Sequence, residues 1–105
     1  MNVEEIKTTE AKKHFNAPQT TLTFVHSPFC GTCHLARQML TTLESVFERE
    51  VFKEMNASLH PEWMQRYKIK SVPCLLVTSG GQVKEKIYAF QSVSYMYEKV
   101  IGFVE

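Results

Sequence analysis

The apolar positions switch between helical and strand spacing along the chain, and the switches lay out its elements. Thr8 to Phe15 reads as a short helix with a threonine cap and Glu10 in its first turn, ended by Asn16-Ala17-Pro18. Val3 and Ile6 before it suggest a short edge strand. Thr20 to His26 is rich in β-branched and aromatic residues and alternates, as a central strand does. From Cys33 onward Leu35, Met39, Leu43, Val46 and Phe47 recur at helical spacing, predicting an amphipathic helix of several turns to about Glu50. Val51 to Asn56 gives a second strand, so the helix joins two strands as a right-handed βαβ crossover. Pro61, at a first-turn position, opens a short helix through Trp63, Met64 and Tyr67. Val72 to Thr78 is a third strand, Gly80-Gly81 a hairpin turn, and Gln82 to Ala89 the antiparallel partner. Val93, Met96, Tyr97, Val100, Ile101 and Val104 form one face of a last helix, capped by Ser92.

A chain of 105 residues has room for one hydrophobic core, so residues 1–105 are expected to be a single domain. Its formal net charge of +1 leaves no footprint for nucleic acid or an anionic membrane surface. No run approaches a membrane span. The first seven residues, Met1 to Lys7, mix charge with isolated apolar residues and lack the apolar core of a signal peptide, so a cytoplasmic location is expected. There, three cysteines do not make a structural framework, and a CxxC is catalytic or metal-binding.

The chemistry lies in Phe29-Cys30-Gly31-Thr32-Cys33-His34. It follows a strand and precedes the longest helix, placing one thiol at a helix N-terminus. Unpaired amides and the helix dipole there favour the thiolate, which is the nucleophile in disulfide exchange. Cys30 is the candidate attacking residue. Cys33, one turn behind it, is close enough to close a short disulfide without moving the backbone.

With Cys30-Gly31-Thr32-Cys33 at a strand-to-helix junction and Ser71-Val72-Pro73 about forty residues later, before a strand and a Gly-Gly hairpin, the sequence resembles the thioredoxin superfamily. It is most similar there to small bacterial thioredoxin-like proteins. The resemblance covers nearly the whole chain, from Thr8 to about Val104. It implies an α/β thioredoxin-like fold, a central mixed sheet flanked by helices. It also implies Cys30 as nucleophile, Cys33 as resolving thiol and Pro73 as a cis-proline packed against them. The function it implies is thiol-disulfide oxidoreduction by a CxxC dithiol, with a redox-active Cys30–Cys33 disulfide, and a part in cell redox homeostasis. A cis-Pro73 would leave the Val72 backbone as a short unpaired edge to which a substrate segment adds as a strand. Phe29, Pro28 and Val72 would form an apolar rim for it. Phe29, Thr32, Val72 and Pro73 are therefore the expected substrate-binding residues.

The sequence departs from the family at informative places. Phe29 stands where tryptophan is usual, Thr32 where proline is, Ala89 where a glycine borders the groove, and Gln38 where a proline kinks the helix. Phe24 occupies the position of the buried aspartate that helps deprotonate the resolving cysteine. Glu54, on the neighbouring strand where lysine is common, is either a substitute proton acceptor for Cys33 or an edge charge. Thr32 has an amide hydrogen that proline lacks, which can be aimed at the Cys30 sulfur and make the couple more oxidising than thioredoxin. His34 and His26 are either proton shuttles or solvated histidines. His14 and His60 read as surface or capping residues, Cys74 as core rather than a redox-sensing third thiol, and Trp63 and the tyrosines of the last helix as core or surface.

Substrates are expected to be protein or low-molecular-weight disulfides, with an external reductant such as a thioredoxin-reductase-type flavoenzyme or a small thiol. A monomer without a cofactor is expected. Two rival functions use the same residues. One is glutaredoxin-like handling of mixed disulfides with a small thiol, which needs mainly Cys30. The other is a metal-binding module in which Cys30, Cys33 and His34 or Cys74 hold a soft metal. A redox-inactive interaction domain on the same fold is a third reading.

Overall fold

In the computed structural model, which describes residues 5–104, four strands form one mixed sheet. In chain order the elements are α1 (Ala11–Phe15), β1 (Thr21–His26), α2 (Gly31–Phe47), β2 (Phe52–Asn56), α3 (Pro61–Arg66), β3 (Cys74–Ser79), β4 (Gln82–Ile87) and α4 (Val93–Val104). The sheet order is β2-β1-β3-β4. β1 pairs parallel with β2 and antiparallel with β3, so it is internal, as its run of Leu22, Phe24 and Val25 demands.

Two apolar clusters cover the two faces of the sheet. Leu22, Phe24, Phe52, Leu75 and Val77 pack with Cys33, Ala36, Leu40 and Leu43 of α2 and Met96 and Val100 of α4. On the other face Val25, Met55, Cys74 and Leu76 meet Ala11 and Phe15 of α1 and Trp63 of α3, together with Tyr67. Alternation along β1 explains the split: Leu22 and Phe24 point one way, Val25 the other.

Several expectations need correction. The buried stripe of α2 is Cys33, Ala36, Leu40 and Leu43, while Leu35 and Val46 are exposed. Two apolar stripes with helical spacing coexist on this helix, and small residues at Cys33 and Ala36 let it approach the sheet closely. α2 stops at Phe47 because Glu48 turns left-handed at φ 57°, and the Glu44 carboxylate then accepts from the Val51 and Phe52 amides, fixing the exit into β2. α2 runs unbroken through Gln38.

The first helical segment starts as a 3-10 turn over Thr8–Glu10, and neither it nor α1 has a side-chain cap, so Thr8 does not play that part. Val3 lies outside the described residues. Glu5 instead makes a parallel bridge to Glu54, and the Ile6 amide donates to the Glu54 carbonyl at 2.9 Å. β3 begins at Cys74 rather than Val72 and β4 ends at Ile87 rather than Ala89. The hairpin turn is where glycine is required, with Gly80 at φ 57° and Gly81 at φ 83°. Ser92 does cap α4, its hydroxyl accepting from the Tyr95 amide at 3.0 Å.

His60 is at the N-cap position of α3 but makes no side-chain cap bond and is not on the surface, and His14 is half-buried rather than a plain surface residue. His60 is fully buried, its Nε2 3.0 Å from the Ile6 carbonyl oxygen. The His14 Nε2 lies 2.8 Å from the Thr23 hydroxyl, and burial, reinforced by the nearby Lys53 charge, lowers its pKa to about 4. Both histidines tie segments outside the sheet to their neighbours rather than to solvent.

Candidate active site

β1 ends at His26, and Ser27-Pro28-Phe29 turns the chain into α2. The turn is closed by the Cys30 amide donating to the Ser27 carbonyl at 3.2 Å. Cys30 is thereby delivered in extended conformation as the N-cap of α2, and its Sγ accepts from the Cys33 amide at 3.2 Å. A sulfur here does what a capping oxygen does, taking up an otherwise unpaired amide of the first turn. The Thr32 hydroxyl lies 3.5 Å from the same sulfur. The expected Thr32 contribution is thus relocated: the amide on the sulfur is that of Cys33, and Thr32 reaches it through its side chain.

Cys30 and Cys33 are joined in a disulfide with their Cα atoms 5.3 Å apart. The two sulfurs are unequal in setting. Cys30 is half-buried at the helix start, whereas Cys33 is buried in the α2 side of the core. Phe29, immediately before, is 95% exposed. The Val72–Pro73 peptide is cis. Val72 packs against the cluster that also contacts Cys30, and its amide and carbonyl have no hydrogen-bond partner among the described residues. An open groove lined by Ser27, Ala57, Met64, Ile69 and Lys70 flanks the loop before Cys30.

The model of the thioredoxin family matches residues 2–100 of the sequence. The chain belongs to the thioredoxin family. It is 43% identical over 79 residues to the thioredoxin-like protein YusE of Bacillus subtilis, covering 75% of this chain and 74% of that one. Its fold is shared with mitochondrial thioredoxin 3 of Saccharomyces cerevisiae in the oxidised form, at a TM-score of 0.78 and 15% identity over 95% of this chain and 94% of the other. The thioredoxin of Malassezia sympodialis is likewise similar, with a TM-score of 0.83 and 12% identity over 99% and 92% of the two chains.

Within this thioredoxin-family site, Phe24 is fully buried, and its register partner across β1 and β2 is Glu54. Glu54 forms an ion pair with Arg37 and lies 3.1 Å from the Nε2 of His26, which in turn is 3.3 Å from Glu5. The His26 ring stacks on Phe24 at 5.6 Å between centroids, and the Arg37 guanidinium sits 5.4 Å from the centroid of the Phe24 ring. Sequence reasoning singles out Glu54 and His26 but not Arg37 or Glu5. The one available signal was that Arg37 lies one helical turn after Cys33.

The remaining candidates do not converge. His34 is exposed, 3.4 Å from Gln38, and Cys74 is buried on the opposite face of the sheet from Cys33. Burial pushes the Cys74 thiol up to about 12, outweighing the opposing Lys86 charge and a backbone hydrogen bond. Cys30, Cys33, His34 and Cys74 are therefore not gathered as a ligand set for a soft metal.

Proposed function

We propose that the protein is a thiol-disulfide oxidoreductase that reduces or exchanges disulfides through Cys30 and Cys33. In the reduced protein the Cys30 thiolate attacks one sulfur of a substrate disulfide, forming a mixed disulfide and releasing the other substrate sulfur as a thiolate. Cys33 gives up its proton, its sulfur attacks that of Cys30, and the second substrate sulfur leaves as a thiolate. Two electrons have passed to the substrate, and the protein holds the Cys30–Cys33 disulfide. An external reductant, a flavoenzyme of the thioredoxin-reductase type or a small thiol, restores the dithiol.

The carrying observation is the unequal setting of the two sulfurs: Cys30 caps α2 within reach of the Cys33 amide and the Thr32 hydroxyl, and Cys33 is buried a turn inward. Donors aimed at a sulfur stabilise it as thiolate. The unpaired Val72 backbone beside the cis-Pro73 supports docking of an extended substrate segment there, with exposed Phe29 at its rim. Glu54, on the α2 side of the sheet next to Phe24, is the acceptor for the Cys33 proton. The protein works in the cytoplasm as a monomer in this reading.

Trapping tests it. A Cys33→Ser variant incubated with a protein disulfide accumulates a covalent adduct that a reductant releases, while Cys30→Ser forms none. Adducts on Cys33 or Cys74 in the Cys30→Ser protein, or none on either variant, would refute the assignment.

A further inference from the structure

Four charged or titratable side chains from four segments meet on the α2 side of the sheet: Glu5 from the bridging segment, His26 from β1, Arg37 from α2 and Glu54 from β2. The other elements on this face, β3 and α4, contribute Leu75, Val77, Met96 and Val100 to its core. An ion pair between Arg37 and Glu54 would by itself satisfy the buried carboxylate. The structure adds an imidazole between two carboxylates, with Nε2 at 3.1 Å from Glu54 Oε1 and 3.3 Å from Glu5 Oε2. Exposure of the side chains rises along this line, from 9% at Glu54 through 13% at His26 to 41% at Glu5. The outer carboxylate is fixed as well, since its other oxygen accepts from the Asn56 amide at 2.7 Å.

The inner end is tied to α2 through the Arg37–Glu54 ion pair. Arg37 is four residues after Cys33, so the two share one face of α2. Its guanidinium lies by the ring of Phe24, which packs in the same cluster as Cys33, and its partner is Glu54. Phe24 can take no proton itself.

We propose that Glu54, His26 and Glu5 form a relay that carries the proton lost by Cys33 from beneath α2 to solvent, with Arg37 as the positioning residue at its inner end. This rests on the dithiol mechanism above. In the resolving step the Cys33 S–H bond breaks and the proton goes to a Glu54 carboxylate oxygen. Glu54 passes it to Nε2 of His26 in the tautomer whose hydrogen is on Nδ1, the imidazolium so formed gives a proton from the same Nε2 to Glu5 Oε2, and Glu5 releases it to water. No electron moves in these transfers. The relay returns Glu54 to the state in which it can take the next proton.

An aromatic disulfide that releases a coloured thiolate separates the two chemical steps. The first equivalent reports attack by Cys30, the second resolution by Cys33. For the wild-type protein both phases are expected. In His26→Ala and Glu5→Gln the first phase keeps its rate, while the second slows about tenfold or more at neutral pH. That deficit closes as pH rises and hydroxide takes the Cys33 proton directly, and added imidazole restores the second phase of His26→Ala. His26→Gln, which keeps side-chain bulk, shows the same pH-dependent deficit should the alanine variant unfold. A second phase at the wild-type rate in these variants, or one slowed equally at every pH and deaf to imidazole, overturns the relay. Absence of the first phase in the wild-type protein overturns the dithiol mechanism itself.

Discussion

Replacing Thr32 by valine removes a hydroxyl 3.5 Å from the Cys30 sulfur while keeping the β-branched shape. A hydrogen bond to a charged acceptor contributes roughly 1.5–3 kcal/mol. At this length, and on an exposed residue, about 1 kcal/mol is the fitting share, because solvent screens it and the Cys33 amide still serves the sulfur. The hydroxyl stabilises only the thiolate, which exists only in the reduced protein. Its loss raises the Cys30 pKa by about 0.7 unit at 1.36 kcal/mol per unit, and lowers the reduction potential by about 20 mV at 30 mV per 1.4 kcal/mol. The effect is present above the wild-type Cys30 pKa and fades as pH falls below it, where the thiol is neutral in both proteins. Equilibration of the Thr32→Val, Thr32→Ser and wild-type proteins against glutathione buffers, read by mass after acid quenching, gives the three potentials. Serine is expected to match the wild type. A valine variant with an unchanged or higher potential would refute the reasoning.

Three further outcomes follow from the packing. Cys74, buried with its pKa near 12, is expected to resist alkylation between neutral pH and pH about 9, reacting only at the rate of unfolding; rapid labelling of the native protein would show an accessible third thiol. His14 has a folded pKa near 4 against an ordinary value of 6.5, so the unfolded chain binds its proton first and stability falls as pH drops from 6.5 towards 4. The melting temperature of His14→Gln should lose that part of the pH slope, and an identical slope would place the titrating group elsewhere. Arg37→Met leaves the Glu54 carboxylate with His26 alone and should destabilise the fold by about 2–3 kcal/mol in urea. Adding Glu54→Gln should recover part of that loss, and a purely additive double variant would deny the coupling.

Much of this architecture is local information. The run at Thr21–His26, the Pro61 start and the Gly80-Gly81 turn each carry their own backbone preference, so the β1–β2 crossover and the β3–β4 hairpin could be anticipated, whereas the antiparallel β1–β3 pairing that joins them could not. Cys30 and Cys33 were legible for the same reason, since a strand end followed by a long helix fixes where the first thiol sits. α2 shows where such reading stops. Leu35 and Val46 fit one apolar stripe, Ala36 and Leu40 another, and only docking against Phe24 and Leu75 selects the second. The ion-pair group was hidden for a different reason, because its members come from four segments and acquire partners only when β1 and β2 pair. His14 and His60 follow suit: their partners, Thr23 and the Ile6 carbonyl, come from other segments of the chain.

The acidity of Cys30 bears most directly on the whole account. Alkylation rates of the fully reduced protein measured against pH, with each modified cysteine located by mass, give the titration of the reacting thiol. The account predicts that this thiol is Cys30 and that it ionises clearly below the roughly 8.5 of free cysteine, leaving Cys33 and Cys74 slower across the neutral range. Ionisation of Cys30 at or above the free value, or faster reaction at Cys33, would contradict it.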